Sequence, residues 1–241
     1  IALPLFLQMT LEYDAMGAGL SLAPLSLTMF ATALLVGKVA AERRPAWLIR
    51  LGFVLAAVGV AVIIPFVPRI DSGWYLAPPL VVMGAGLGLL VSQLNNYTLA
   101  PIDEERVSEA AGVNSAAGSF GLSFGLAMAG GVMLWSLAFG FTRMVDDSAV
   151  IPEPQQQQII DELRDEAEVV SNSALDDRIT GVPADVEDEV LRINGEARDR
   201  SLQVALLVPL LAALAGLLNS LRMLRLPDVE PSSSLEGYDL G

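Results

Sequence analysis

Cysteine and histidine are both absent from the 241 residues of this chain. Without cysteine there is no disulfide, no thiolate metal site and no thiol nucleophile. Without histidine the commonest general base and metal ligand is gone as well. A third absence is local and says more. No charged residue occurs in residues 15–37, 51–68, 72–102, 110–142 or 201–221. About 20 apolar residues in a helix cross the roughly 30 Å hydrocarbon core of a bilayer. A helix lying on a water-soluble core would carry charge along one face. The charges fall in the gaps between these runs, so the pattern predicts a multi-pass membrane protein.

What is present is acidic, and its location explains it. The formal charge is −14, yet sixteen of the 28 acidic residues and six of the 14 basic ones lie in residues 143–200. The acidity belongs to one hydrophilic segment and a short tail, which argues against nucleic acid as a partner. No Asp or Glu lies deep in a complete apolar run, and no paired carboxylates suggest an enzyme or a metal or cofactor site.

The runs divide the chain into four parts. Residues 1–142 read as the last turns of one helix followed by four full spans. Residues 143–200 read as an acidic loop, 201–224 as the last span, and 225–241 as a disordered polar tail. The chain opens on Ile1 inside an apolar stretch, which suggests a fragment whose first helix is mostly missing. Lys38, Arg43, Arg44, Arg50, Arg106, Arg222 and Arg225 lie on one side of the predicted bundle. The positive-inside rule makes that side, with the C-terminus, cytoplasmic and places 143–200 outside the cell membrane. Within the acidic segment, Ile159, Leu163, Ala167, Val170 and Ala174 recur at helical spacing. Val186, Val190, Ile193 and Ala197 do the same, so two amphipathic helices are expected there.

Small residues recur every four positions in the fourth span, at Ala117, Gly121, Gly125 and Ala129. In lipid, close backbone approach drives helices together, so this stripe predicts a packing face, either static or sliding. Ser119 and Ser123 belong to a second stripe beside it. Gly84, Gly86 and Gly88 in the third span look like a nucleotide loop, but no strand precedes them; helix packing or a flexible point accounts for them better. Gln93, Asn96 and Asn114 are polar side chains near the inner ends of two spans. Such groups face protein or a water-filled path, and with Ser119 and Ser123 they are the candidates for a substrate pathway. Asn95 and Asn96 also suit capping or interhelical bonding.

The turn containing Gly37, Ala40, Arg43, Arg44 and Pro45 resembles the loop signature G-x-L-A-D-R-x-G-R-R-P of the major facilitator superfamily, with Ala41 where that family has an acid. Pro101, Arg106, Ala110, Gly112 and Asn114, then Gly118, Gly121 and Gly125, are similar to its proline-to-glycine-rich segment. Leu3-Pro4-Leu5-Phe6-Leu7-Gln8, Ala18-Gly19-Leu20 and Pro24 resemble its 14-helix drug:proton antiporter branch. The resemblance implies an all-α, polytopic fold. This chain would be most of the C-terminal six-helix lobe, with an external helical insertion and a separate N-terminal half. It implies proton-coupled efflux of amphipathic, drug-like molecules by alternating access, with Gly37, Glu42, Arg43, Arg44 and Arg106 in the cytoplasmic gating loops. Export of an endogenous lipid or metabolite is an alternative. So is a non-transporting scaffold or receptor using the acidic segment.

Overall fold

The computed structural model describes residues 2–39, 45–70, 72–163 and 183–225. Among these, regular structure is entirely helical. The chain runs as α1 (Ala2–Met9), α2 (Ala15–Val39), α3 (Pro45–Phe66), α4 (Ala77–Leu99), α5 (Val107–Asp146), α6 (Glu153–Leu163) and α7 (Ala184–Ser220). Among the described residues, five helices are long and apolar enough to cross a membrane. Their side chains explain the environment: Leu27, Phe30, Leu35, Phe120, Leu122, Leu211 and Leu218 all project outward from the bundle. In water that surface would be an aggregation hazard; in lipid it is the correct outer coat.

The order of packing is α2 against α4, α4 against α3, α3 against α7, and α7 against α5. Glycine makes the first two contacts possible. Gly84 and Gly88 share one face of α4, and a side chain at either would strike the α2 backbone, at Leu25 O or Met29 O. Gly86 lies on the opposite face, where a Cβ would come within 2.6 Å of Ala56 N and Gly52 O on α3. The spacing of 84, 86 and 88 thus lets two helices close on α4 from both sides. The helix-packing reading of these glycines is the one the fold adopts.

Two apolar cores follow. The first joins Phe6 and Leu7 of α1 to Val60 and Ile63 of α3, Leu80 of α4, and Leu202 and Leu206 of α7. The second joins Leu137, Phe141 and Val145 of α5 to Ile160 of α6 and Val186, Val190, Ile193 and Ala197 of α7. The boundaries read in the sequence, between 142 and 143 and between 200 and 201, fall within the continuous helices α5 and α7, which this second core joins. At 1.5 Å per residue, the 40 residues of α5 extend about 60 Å, twice the hydrocarbon thickness. The apolar stripe of α5 continues past its charge-free run and stays paired with that of α7. Of the two expected amphipathic helices, one is α6 and the other is the first half of α7. Ala167, Val170 and Ala174 lie outside the described residues, as does the tail beyond Arg225.

Candidate functional site: the cleft between α4 and α5

Helix α4 stops where Pro101 cannot continue it, and a 3-10 turn, Glu104–Arg106, leads into α5. Arg106 occupies the cap position of α5 and no side chain caps the helix; Ser108, a residue suited to that role, lies inside the first turn instead. Glu109 sits in that turn, where the helix dipole favours an anion. Arg106 Nε donates to Glu109 Oε2 across 3.3 Å. Both side chains are about 70% exposed (71% and 68%), so the pair orients the turn more than it stabilises it.

Above this turn a polar bridge joins the two helices. The Asn114 Nδ2 amide donates to Asn95 Oδ1 at 2.6 Å. Around it opens a cleft of about 470 Å³ whose wall includes Thr98, Asp103, Arg106, Glu109, Asn114 and Ala117. Such a cleft offers amide donors and acceptors, two carboxylates and one guanidinium beside apolar side chains. That suits reversible binding of a small amphipathic molecule and has no nucleophile poised for chemistry.

The helix period sorts the remaining candidates. Asn114, Ala117, Gly121 and Gly125 are three, four and four residues apart and share one face of α5. The small-residue stripe therefore continues the cleft wall along the helix. A Cβ at Gly121 or Gly125 would meet nothing within 4 Å, so among the described residues no element covers the stripe. Ala129 lies half-buried at its far end. Ser119 and Ser123 are exposed on the opposite face of α5 and do not line the cleft. Gln93 is buried at 4% exposure, seven residues beyond Gly86 on the α4 face that meets α3; its Nε2 donates to Ser92 Oγ at 3.1 Å. Asn96 lies within α4. Gly37 is near the end of α2, and Glu42, Arg43 and Arg44 lie outside the described residues.

The structure brings Asn114 and Arg106 into one cleft and separates Gln93, Ser119 and Ser123 from it. Asn95 takes the interhelical bonding that the sequence suggested for it, with Asn114 as its partner. What the sequence reading did not supply was that partner: two asparagines, one before and one after a short proline-containing turn, are placed to meet when the turn reverses the chain.

Residues 1–126 match the family model described as Major Facilitator Superfamily. A protein of Streptomyces coelicolor (strain ATCC BAA-471 / A3(2) / M145), described as a probable actinorhodin transporter, is 29% identical over 152 residues. The matched region is 62% of this chain and 26% of that protein, so the chain spans about a quarter of the length of the curated relative it matches. No solved structure matches.

Proposed function

This chain belongs to the major facilitator superfamily, and from that premise we propose that it is part of a secondary active exporter of small amphipathic molecules. Five apolar spans and the superfamily match support a multi-pass membrane transporter rather than an enzyme. The observation that carries the reading is the α4–α5 cleft. It is polar at its base, walled by a smooth small-residue stripe, and closed by one side-chain bridge. Two helices so lightly joined can part and rejoin, which alternating access requires. In this reading the chain is most of the C-terminal lobe, and the N-terminal half of the transporter covers the α5 stripe. Substrate passes between the halves in exchange for protons. The basic turns and C-terminus face the cytoplasm of the cell membrane, and the acidic segment faces outside. The printed name of the S. coelicolor relative supports a small organic cargo.

Efflux from vesicles containing the full-length protein tests this. An imposed proton gradient should drive accumulation of a cationic or neutral amphipathic dye. Movement indifferent to the gradient would refute proton coupling.

The second core favours one other reading, a scaffold whose outer helices bind a partner, because α5, α6 and α7 form a packed unit beyond the charge-free runs. Removing residues 153–183 leaves α5 and α7 intact. Transport that survives the deletion supports the exporter; loss of a binding function with no transport to lose supports the scaffold.

A further inference from the structure

The polar half of α7 contains a carboxylate that no cation among the described residues neutralises. Residues 184–200 hold nine charged side chains and therefore lie outside the hydrocarbon; the charge-free crossing begins at Ser201. Asp199 is in the last turn before it. Its Oδ1 is shielded from solvent and has no hydrogen-bond donor. The next residues on the chain are packed tightly: Ser201 is fully buried, and Leu202 belongs to the core shared with α1 and α3.

Among the described residues, the cations near this turn are engaged elsewhere. On α7 itself, Arg192 and Arg200 both bind Glu196, at 2.8 and 2.5 Å. Arg198, buried beside Asp199, is acted on by Glu12 from the turn after α1. From the turn after α3, Arg69 donates to the Pro65 carbonyl. From α5, Arg143 pairs with Asp147. The other ionisable groups in the described turn after α1 and in the last turn of α5, Tyr13, Asp14 and Asp146, carry no positive charge. A half-buried carboxylate with one oxygen shielded from water, and no counter-ion or donor for it among the described residues, is disfavoured as an anion relative to the neutral acid. Burial and the neighbouring Glu196 both raise its proton affinity.

We propose that Asp199 is a proton-binding site, taking a proton from water at that end of the last span and holding it where α7 seats against α1 and α3. The bound proton occupies the carboxyl oxygen and returns to the same water when it leaves. Loss of the proton leaves an anion whose Oδ1 is shielded from water and without a donor, and the joint loosens until water reaches that oxygen. The site rests on the membrane placement of α7 and not on the direction or cargo of transport.

Isotope-edited infrared titration of aspartate carboxyls in the full-length protein, reconstituted in liposomes without cargo or gradient, tests the site. A protonated-aspartate band should persist above the ordinary carboxylate range in the wild type and be lost in Asp199→Asn. Melting temperature gives a second readout. The folded protein binds this proton more tightly than the unfolded chain, so wild-type stability should fall as pH rises through the titration, and Asp199→Asn should abolish that fall. Glu196→Gln keeps Asp199 but removes the adjacent anion and frees Arg200, while Arg192 stays on Glu189, so the band should titrate at lower pH. An unchanged titration in Asp199→Asn, or an unshifted one in Glu196→Gln, overturns the proposal. Because neither readout uses efflux, failure of gradient-driven transport with these shifts intact would sink the exporter reading alone.

Discussion

Asn114 donates its side-chain amide to Asn95 across 2.6 Å, and this bond joins α4 to α5 beside their connecting turn. Interhelical hydrogen bonds of this kind are worth ~1 kcal/mol in membrane proteins. Asn114→Ala and Asn95→Ala should each lower the melting temperature of the full-length protein, and the double variant should add little to either. A double-mutant cycle reads the coupling directly. Additive losses would show that each asparagine works with a different partner.

Gly86 and Gly125 give opposite expectations for the same substitution. A methyl at Gly86 meets main-chain atoms of Ala56 and Gly52, which cannot swing aside as a side chain would. Gly86→Ala should cost about 1–3 kcal/mol, the range for overpacking a filled interface. Gly125→Ala meets nothing among the described residues and should leave folding unchanged. In the full-length protein, the same Gly125 variant should impair transport if another element slides along the stripe. Thermal melts of both variants, with efflux measured alongside, separate intrachain packing from contact with the other half.

The spans were legible because exclusion of charge from lipid is a strong, local constraint that leaves the same mark on every crossing. The α4 glycines were legible as packing residues, but which helices they admit was not, since period alone gives faces and not neighbours. Ser119, Ser123 and Gln93 were grouped with Asn114 by polarity and approximate depth. Helical phase then put the two serines on the far side of α5 and Gln93 on the α3 side of α4. The extension of α5 to Asp146 was hidden by its charges: Arg143 and Asp146 read as the start of a loop, while the stripe of Leu137, Phe141 and Val145 continues beneath them.

Tyr13 ties the turn after α1 to the turn before α4. The Gly73 N–H donates to its phenol oxygen at 3.1 Å, and Ser72 Oγ lies 3.4 Å away. The bonds with Ser72 and then Gly73 hold the phenol below the ordinary tyrosine range. Tyr13→Phe should loosen this junction and speed protease cleavage between α1 and α2. A lowered folded pKa means the ionised phenol favours the folded junction. That contribution is present above the unfolded tyrosine range and is lost as pH falls through the lowered value. The wild type should therefore outlast Tyr13→Phe by a wider margin in strongly alkaline buffer than at neutral pH. An equal margin at both would mean the phenol does not ionise in place.

The two ends of α7 differ in the sign of their charge, and the proposed orientation depends on that difference. Its first half has more acidic than basic residues, whereas Arg222 and Arg225 follow its charge-free run. Positive charge is retained on the cytoplasmic side during insertion, so the Arg222 end should stay inside and the junction of α5 with α7 should emerge outside. The lack of cysteine in this stretch makes the test direct. Val150 and Arg222 are both exposed, and each tolerates a reporter thiol without disturbing either core. On intact cells, a membrane-impermeant maleimide should label Val150→Cys at once and Arg222→Cys only after the membrane is permeabilised. Labelling in the reverse order would put the acidic segment in the cytoplasm, and the cleft beside Arg106 would then open outward. An exporter loading from the cytoplasm could not use it as its entrance.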